Sequence, residues 1–476
     1  MNKFENFGRI FRNFSFLFAG DIFTRILQLA AVIYLARILG VEGFGVISFA
    51  LAVYNYLLYT TNLGLNEIGV REVASSREDL NNYAYSITLL RFLFSILSII
   101  LIYTILLLVK LPYQTEGMTL IFSFALVPYA LSLEWVFRGT EKMHFVGVYK
   151  VINSLFYVAL IFLVVKNSLW IYWVGYSKII ADSIATLFIF LLYIFLFNKQ
   201  LKFVVDVNLC KKILKIAIPV AISFAVGKIY NNIDTVMLGF MKGNYSVGIY
   251  NAAYKILIVL NGLVLTFVTA MFPTISRMYK ESKEELSRLI EDAINILLIL
   301  GIPIGVGGTM LANKLIGLIY GVEYMPSVLI FQILVWSAVI NFLGFLISYS
   351  IFACNMQKKY MYIVCFTAAF NIIANLILIP VFDSVGAAVA SVVSQLLLFI
   401  ISWFTIRSIA KIRVDKYLIK PILASLIMAL ALFYFHNINI FLSIGFGTII
   451  YFSFLFLIYG EFKQDVFQIA KQFYKG

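Results

Sequence analysis

The sequence predicts an all-α, polytopic membrane protein of about fourteen transmembrane helices. They are expected as two pseudo-symmetric six-helix lobes followed by two additional C-terminal helices. Three observations carry this expectation. First, 62% of the 476 residues are hydrophobic and only 13% are charged, about half the charged share of a soluble domain, and the mean hydropathy is +0.97. Second, apolar runs of twenty or more residues recur along the chain. Each is long enough to cross ~30 Å of hydrocarbon as a helix and too long, without alternation, to be a barrel strand. Third, the basic residues are clustered between those runs in a regular order.

Six spans are expected at 14–39, 43–66, 83–109, 117–140, 145–166 and 169–197, making an N-terminal lobe over 1–197. A cytoplasmic linker follows at 198–212, the longest polar connection. Spans at 213–241, 245–271, 288–312, 325–353, 358–381 and 384–408 make a C-terminal lobe over 213–408. Spans at 417–436 and 438–460, with a tail, complete 409–476. Lys3, Arg9 and Arg12 precede the first apolar run, which Asp21 and Arg25 interrupt. No small-residue cleavage site follows, so the run reads as an uncleaved span.

The charge pattern supports the count. With the N-terminus in the cytoplasm, the cytoplasmic segments hold 26 of the 37 Lys and Arg, and the outer segments hold five: Arg37, Lys110, Lys166, Lys242 and Lys314. A missed span would reverse the bias downstream, and it never reverses. Both termini are therefore expected in the cytoplasm and the chain in the cell membrane. The same distribution argues against nucleic acid as the partner of the +14 net charge. Cys210, Cys354 and Cys365 make no disulfide framework, and with His144 and His436 they have no metal-ligand spacing.

An internal repeat is legible. At an offset of 203, Arg25 matches Lys228, Gln28 matches Asn231, Leu35 matches Leu238, Gly40 matches Gly243 and Gly45 matches Gly248. Six spans separate the copies, so they share an orientation. Parallel repeats of this kind are related by an axis along the membrane normal and place a shared site between them. Spans 13 and 14 lie outside the repeat.

Six bases remain inside spans: Arg25, Arg91, Lys150, Lys178, Lys228 and Lys255. Three acids accompany them: Asp21, Asp182 and Asp234. Each charge at mid-bilayer costs ~2.5–3.5 kcal/mol, so six unpaired bases would exceed the roughly 5–15 kcal/mol that holds a typical protein folded. They must face water or a partner. Asp21, Thr24, Arg25 and Gln28 fall at i, i+3, i+4 and i+7, one helix face. Lys228, Asn231, Asn232 and Thr235 repeat that spacing, with Asp234 flanking the stripe; Asn251, Tyr254 and Lys255 form a shorter one. The simplest assembly is a water-filled, net-positive cavity between the halves. Plainer roles stand beside this one. Lys150 can snorkel, Lys178 and Asp182 at i, i+4 can neutralise each other, and Arg91 can line the cavity or bond neighbouring carbonyls.

Asn371 and Asn375 lie at i, i+4, and Ser391, Ser394 and Gln395 at i, i+3, i+4. With Asp234 they can supply oxygen ligands for Na⁺, or Asp234 can carry a proton; with Asp21 and Asp182 these are the candidate coupling residues. The plain alternative is interhelical hydrogen bonding. Pro219, Pro273, Pro303 and Pro380, with Gly227, mark places where helices can bend. No nucleotide-binding loop, HExxH or His/Cys cluster occurs, so a transporter with no cofactor is expected rather than an enzyme.

Seven stretches, "LGVEGFGVISFA", "LGLNEIGVREVA", "IYNNIDTVMLGF", "GIYNAAYKI", "FPTISRMY", "FQILVWSAVINFLG" and "NLILIPVFDSVGAAVASVVSQ", resemble the polysaccharide-repeat-unit flippases of the multidrug/oligosaccharidyl-lipid/polysaccharide exporter superfamily. The resemblance covers nearly the whole chain. It implies two six-helix lobes, alternating access, and an undecaprenyl-pyrophosphate-linked oligosaccharide as cargo. The interior bases agree with it, since a pyrophosphate needs Arg and Lys as it crosses. Arg25, Gln28, Arg91, Lys228, Asn231, Asn232, Tyr254 and Lys255 are the expected cargo-binding residues. The protein is expected to act as a monomer among membrane lipids, alongside a polymerase and glycosyltransferases of the same pathway. A multidrug exporter of the same superfamily is the nearest rival, but cationic drugs favour an acidic cavity. A membrane-embedded glycan polymerase or ligase is another, but such enzymes carry a long outer loop, and the longest here, about 313–324, is short.

Overall fold

In the computed structural model the described residues are mostly α-helical, joined by short turns, with no strand among them. The structure describes residues 3–75, 80–197, 206–217, 232–410, 412–413 and 415–458; the side chains of 3–19, 21, 22, 415 and 416 fall outside that description. Of the expected site residues, Lys228 and Asn231 lie outside it, as do the side chain of Asp21 and the bend candidates Pro219 and Gly227.

The all-helical result follows from the solvent. Hydrocarbon offers backbone groups no partner, so a spanning segment must satisfy its own N–H and C=O groups. Eleven described helices are long and apolar enough to cross a membrane. Two of these are bent pairs. Helix α1 (Lys3–Asn62) is interrupted at Gly40, with φ 66°, and a helix over Gln357–Arg407 is interrupted at Asp383, with φ 54°. Nine single spans and two pairs give thirteen spans among the described residues. The remaining expected span, 213–241, is described only at its two ends.

Two compact units divide the chain, Met1–Gly248 and Ile249–Gly476. The first contains α1, α2 (Leu65–Ser75), α3 (Leu80–Leu108), α4 (Tyr113–Phe124), α5 (Leu126–Leu131), α6 (Glu134–Gly139), α7 (Met143–Val164), α8 (Tyr172–Phe197) and α9 (Ile233–Met241). Helices α4 to α6 form one broken span. The break after α5, where Ser132 is extended, leaves carbonyls without helical partners. The second unit contains most of α10 (Asn244–Glu281), then α11 (Lys283–Ile319), α12 (Ser327–Ala353), α13 (Gln357–Arg407), α14 (Asp415–Tyr434) and α15 (Ile440–Ile458).

The repeat has a physical counterpart inside the first unit. Gly40 and Gly243, matched in sequence, both adopt positive φ, 66° and 89°, which costs a glycine nothing. The next matched pair meets reciprocally. A Cβ on Gly45 would strike the Asn244 carbonyl, and a Cβ on Gly248 would strike the Val41 carbonyl. Val41 and Asn244 are themselves 203 apart, so the two contacts exchange under the repeat, as contacts across a two-fold axis do. Since backbone cannot step aside as a side chain can, Gly45→Ala is expected to lose about 1–3 kcal/mol and to lower the thermal midpoint in detergent. Gly344→Ala, where nothing lies within 4 Å of the new carbon, should not.

Candidate functional site

In the first unit, α1 and α7 run side by side in register. Gly20 packs on Gly147, and Gln28 Nε2 donates to Ser154 Oγ at 3.4 Å. Arg25, between them on α1, therefore lies at the depth of Lys150 on α7. Arg25 and Gln28 are exposed and Lys150 is half-buried. Arg25 forms no hydrogen bond or ion pair with any described residue.

Helix α8 completes this polar wall. Lys178 Nζ reaches both Asp182 oxygens, at 2.5 and 2.7 Å, and Asn153 Nδ2 donates to Asp182 Oδ1 at 2.5 Å. Asp182 is buried, at 4% exposure. Lys178 also lies 5.8 Å from the Tyr54 ring centroid. The pair at i, i+4 thus neutralises itself, as its spacing allowed, and Asn153 ties it to α7. Asn153 and Ser154 were missed by the sequence reading. The signal was present: they stand three and four residues after Lys150, on its face.

Arg91 is not on this wall. It is 1% exposed, and it donates from Nη1 to the Ser132 carbonyl at 2.8 Å and from Nη2 to the Tyr129 carbonyl at 2.5 Å. The guanidinium carbon sits 4.7 Å from the Tyr129 ring centroid. A cation here takes the carbonyls freed where α5 breaks. Of the two roles open to Arg91, the structure realises the bonding of neighbouring carbonyls, and both terminal nitrogens are used.

The second unit carries a different cluster. Asn371 Nδ2 donates to Ser394 Oγ at 3.2 Å, and Asn375 Nδ2 to Asn371 Oδ1 at 3.1 Å. Ser391 Oγ and Tyr250 Oη are 3.1 Å apart. Asn371, Asn375, Ser391 and Ser394 are all buried, so these bonds stitch the two limbs of α13 to each other and to α10. Tyr254 is half-buried and stacks on Tyr250, with centroids 5.7 Å apart. One turn on from Asn251, Lys255 is half-buried and has no hydrogen-bond or ion-pair partner among the described residues. Asn232 and Asp234, at the start of α9, belong to the first unit; both are half-buried. No group of three or more His, Cys, Asp or Glu stands together among the described residues.

Two apolar recesses lie apart from these charges. One, of about 520 Å³, opens between α3, α5 and α8 beside Thr88, Leu131 and Phe190. The other, of about 410 Å³, lies between α11 and the α14–α15 hairpin, beside Pro303, Gly307 and Tyr451. Neither is lined by Arg25, Lys178, Asp182 or Lys255.

Comparison with known proteins agrees with this architecture. The chain is 25% identical over 385 residues to a putative O-antigen transporter of Escherichia coli K12, covering 78% of this chain and 90% of that protein. It is 22% identical over 408 residues to the capsular polysaccharide biosynthesis protein CapF of Staphylococcus aureus, covering 81% and 96%. Among solved structures, the lipid II flippase MurJ in an inward closed conformation superposes with a TM-score of 0.77 at 17% identity, covering 94% of this chain and 99% of that one. At that identity the likeness shows the fold alone. The MatE family matches residues 219–377. The family described as polysaccharide biosynthesis protein matches residues 10–279, more than half of the chain, and the protein belongs to that family.

Proposed function

We propose that the protein is a flippase that moves a lipid-linked oligosaccharide precursor across the cell membrane, its polyprenyl-pyrophosphate held by basic residues on span interiors. One observation carries the reading. Arg25 and Lys255 are cations inside apolar helices with no partner among the described residues. A charge in that position is expensive unless something anionic visits it. A pyrophosphate does, and Arg offers it a bidentate fork while Lys offers a point charge. The exposed amide of Gln28 and the half-buried Tyr254 and Asn232 suit sugar hydroxyls.

The relatives support the cargo class. Those reported above are named for O-antigen transport and for capsular polysaccharide biosynthesis. Both termini stand in the cytoplasm in this reading, by the basic-residue bias. Coupling to Na⁺ or H⁺ is assigned to the Asp234 carboxylate in the first unit and, separately, to the oxygens of Asn371, Asn375 and Ser391 in the second. In the structure these last three already bond to each other's neighbours on α13 and α10, so a cation would compete with those bonds.

The test uses the purified full chain in vesicles loaded on one leaflet with a polyprenyl-pyrophosphate oligosaccharide. Protein-dependent appearance of the sugar on the other leaflet is expected, with inorganic pyrophosphate competing. Equal movement of a polyprenyl glycan that lacks phosphate would overturn the role given to the bases.

A further inference from the structure

Pro303 lies inside α11. Proline has no N–H to give, so the carbonyl four residues back, that of Ile299, loses its helical partner, and the ring crowds it. Gly305, Gly307 and Gly308 follow within five residues, and glycine weakens a helix further. This stretch of α11 is a joint. The equivalent helix in the first half of the repeat, α3, contains neither proline nor glycine.

The freed carbonyl is not left bare. Tyr451 of α15 donates its hydroxyl to the Ile299 oxygen at 2.8 Å. Both residues are buried, at 1% and 5% exposure, where an unpaired carbonyl finds no water. Fifteen residues along α11, roughly 22 Å by helical rise, a second polar contact occurs. Lys314 Nζ donates to the Ile438 carbonyl at 2.6 Å and to Ser443 Oγ at 3.3 Å, at the turn that joins α14 to α15. The two contacts stand on opposite sides of Pro303. The apolar contacts straddle it as well, since Ile299 and Leu311 share one buried cluster with Ala424, Met428, Leu432 and Leu455.

We propose that the α14–α15 hairpin is a splint across the proline joint of α11, pinned on one side by Tyr451 and on the other by Lys314, so that α11 and the hairpin move as one piece. The hairpin lies outside the internal repeat, while the joint it spans lies in the second copy. The half that lacks the joint lacks the splint.

The experiment reads backbone hydrogen exchange by mass spectrometry over residues 296–310, in the full chain in lipid nanodiscs and without cargo. It therefore stands whether or not the transport reading holds. Tyr451→Phe keeps the ring and removes only the hydroxyl. It is expected to speed exchange in that segment roughly tenfold, the worth of one buried hydrogen bond. Lys314→Met, which unpins the far side, should speed it as well. Pro303→Ala returns an N–H to the Ile299 carbonyl, so in that background Tyr451→Phe should change exchange little. Unaltered exchange in both single variants overturns the splint. So does an equal acceleration by Tyr451→Phe with and without the proline, because the hydroxyl would then not be serving the carbonyl that Pro303 frees.

Discussion

Alanine at Arg25 or at Lys255 is expected to cut transport by roughly 10- to 150-fold while leaving the protein at least as heat-stable as before. The first half of the expectation is the loss of a charge-assisted contact with pyrophosphate, about 1.5–3 kcal/mol. The second half separates a cargo role from a structural one. Neither side chain bonds to a described residue, so its removal breaks no bond among those residues and takes a charge out of an apolar helix. A group kept for function against the interest of stability behaves in this way. Lys255→Arg should retain more transport than Lys255→Ala, because the charge remains. Lys228, which lies outside the described residues, matches Arg25 at the repeat offset and carries the same expectation. Lys211→Ala is the control, an exposed lysine within the helical stretch over 207–217. The measurements are initial translocation rate and thermal midpoint on the same preparations. Wild-type rates in both alanine variants, or a fall in midpoint that accounts for the lost transport, would remove Arg25 and Lys255 from the cargo path.

The fold was legible because a bilayer allows few solutions. Apolar length sets the spans, and the basic residues between them set their order. The repeat was legible down to single glycines: Gly40 and Gly243 match in sequence and both adopt positive φ. Contacts between helices were not legible, because their partners are distant in sequence. Spacing marked Arg91 as an interior charge but could not reveal that the chain breaks after α5, at Ser132, 41 residues away, and leaves it two carbonyls. Pro303 was marked as a bend, while the hydroxyl that serves the Ile299 carbonyl it frees comes from Tyr451, 152 residues on from Ile299. The same limit applies to Asn371 and Ser391. Their type and spacing suit either an ion or a helix partner, and only the structure supplies Ser394 and Tyr250. Lys178 and Asp182 were readable because i, i+4 neighbours on one helix need no tertiary information.

That pair bears the last expectation, which turns on sign. Asp182→Asn should destabilise the fold by about 3–5 kcal/mol, the cost of leaving one member of a buried pair uncompensated. The lower end is the better guide, since the Lys178 side chain keeps 21% exposure against 5% for Asp182, and partial hydration of the ammonium softens the loss. Asn153 would be affected too, as its amide gives up the carboxylate it bonds at 2.5 Å. The double variant Lys178→Met with Asp182→Leu should recover most of the loss, because well-packed apolar residues often replace a buried ion pair at little cost. The cycle of single and double variants then yields a coupling energy of a few kcal/mol. A coupling carboxylate behaves in the opposite way: its amide variant stays stable and loses only the dependence of transport on an ion gradient. Thermal midpoints of the four proteins, measured beside transport with and without a gradient, tell the two apart. A stable Asp182→Asn protein that no longer responds to the gradient would make Asp182 the ion switch and leave Lys178 as its tethered counter-ion.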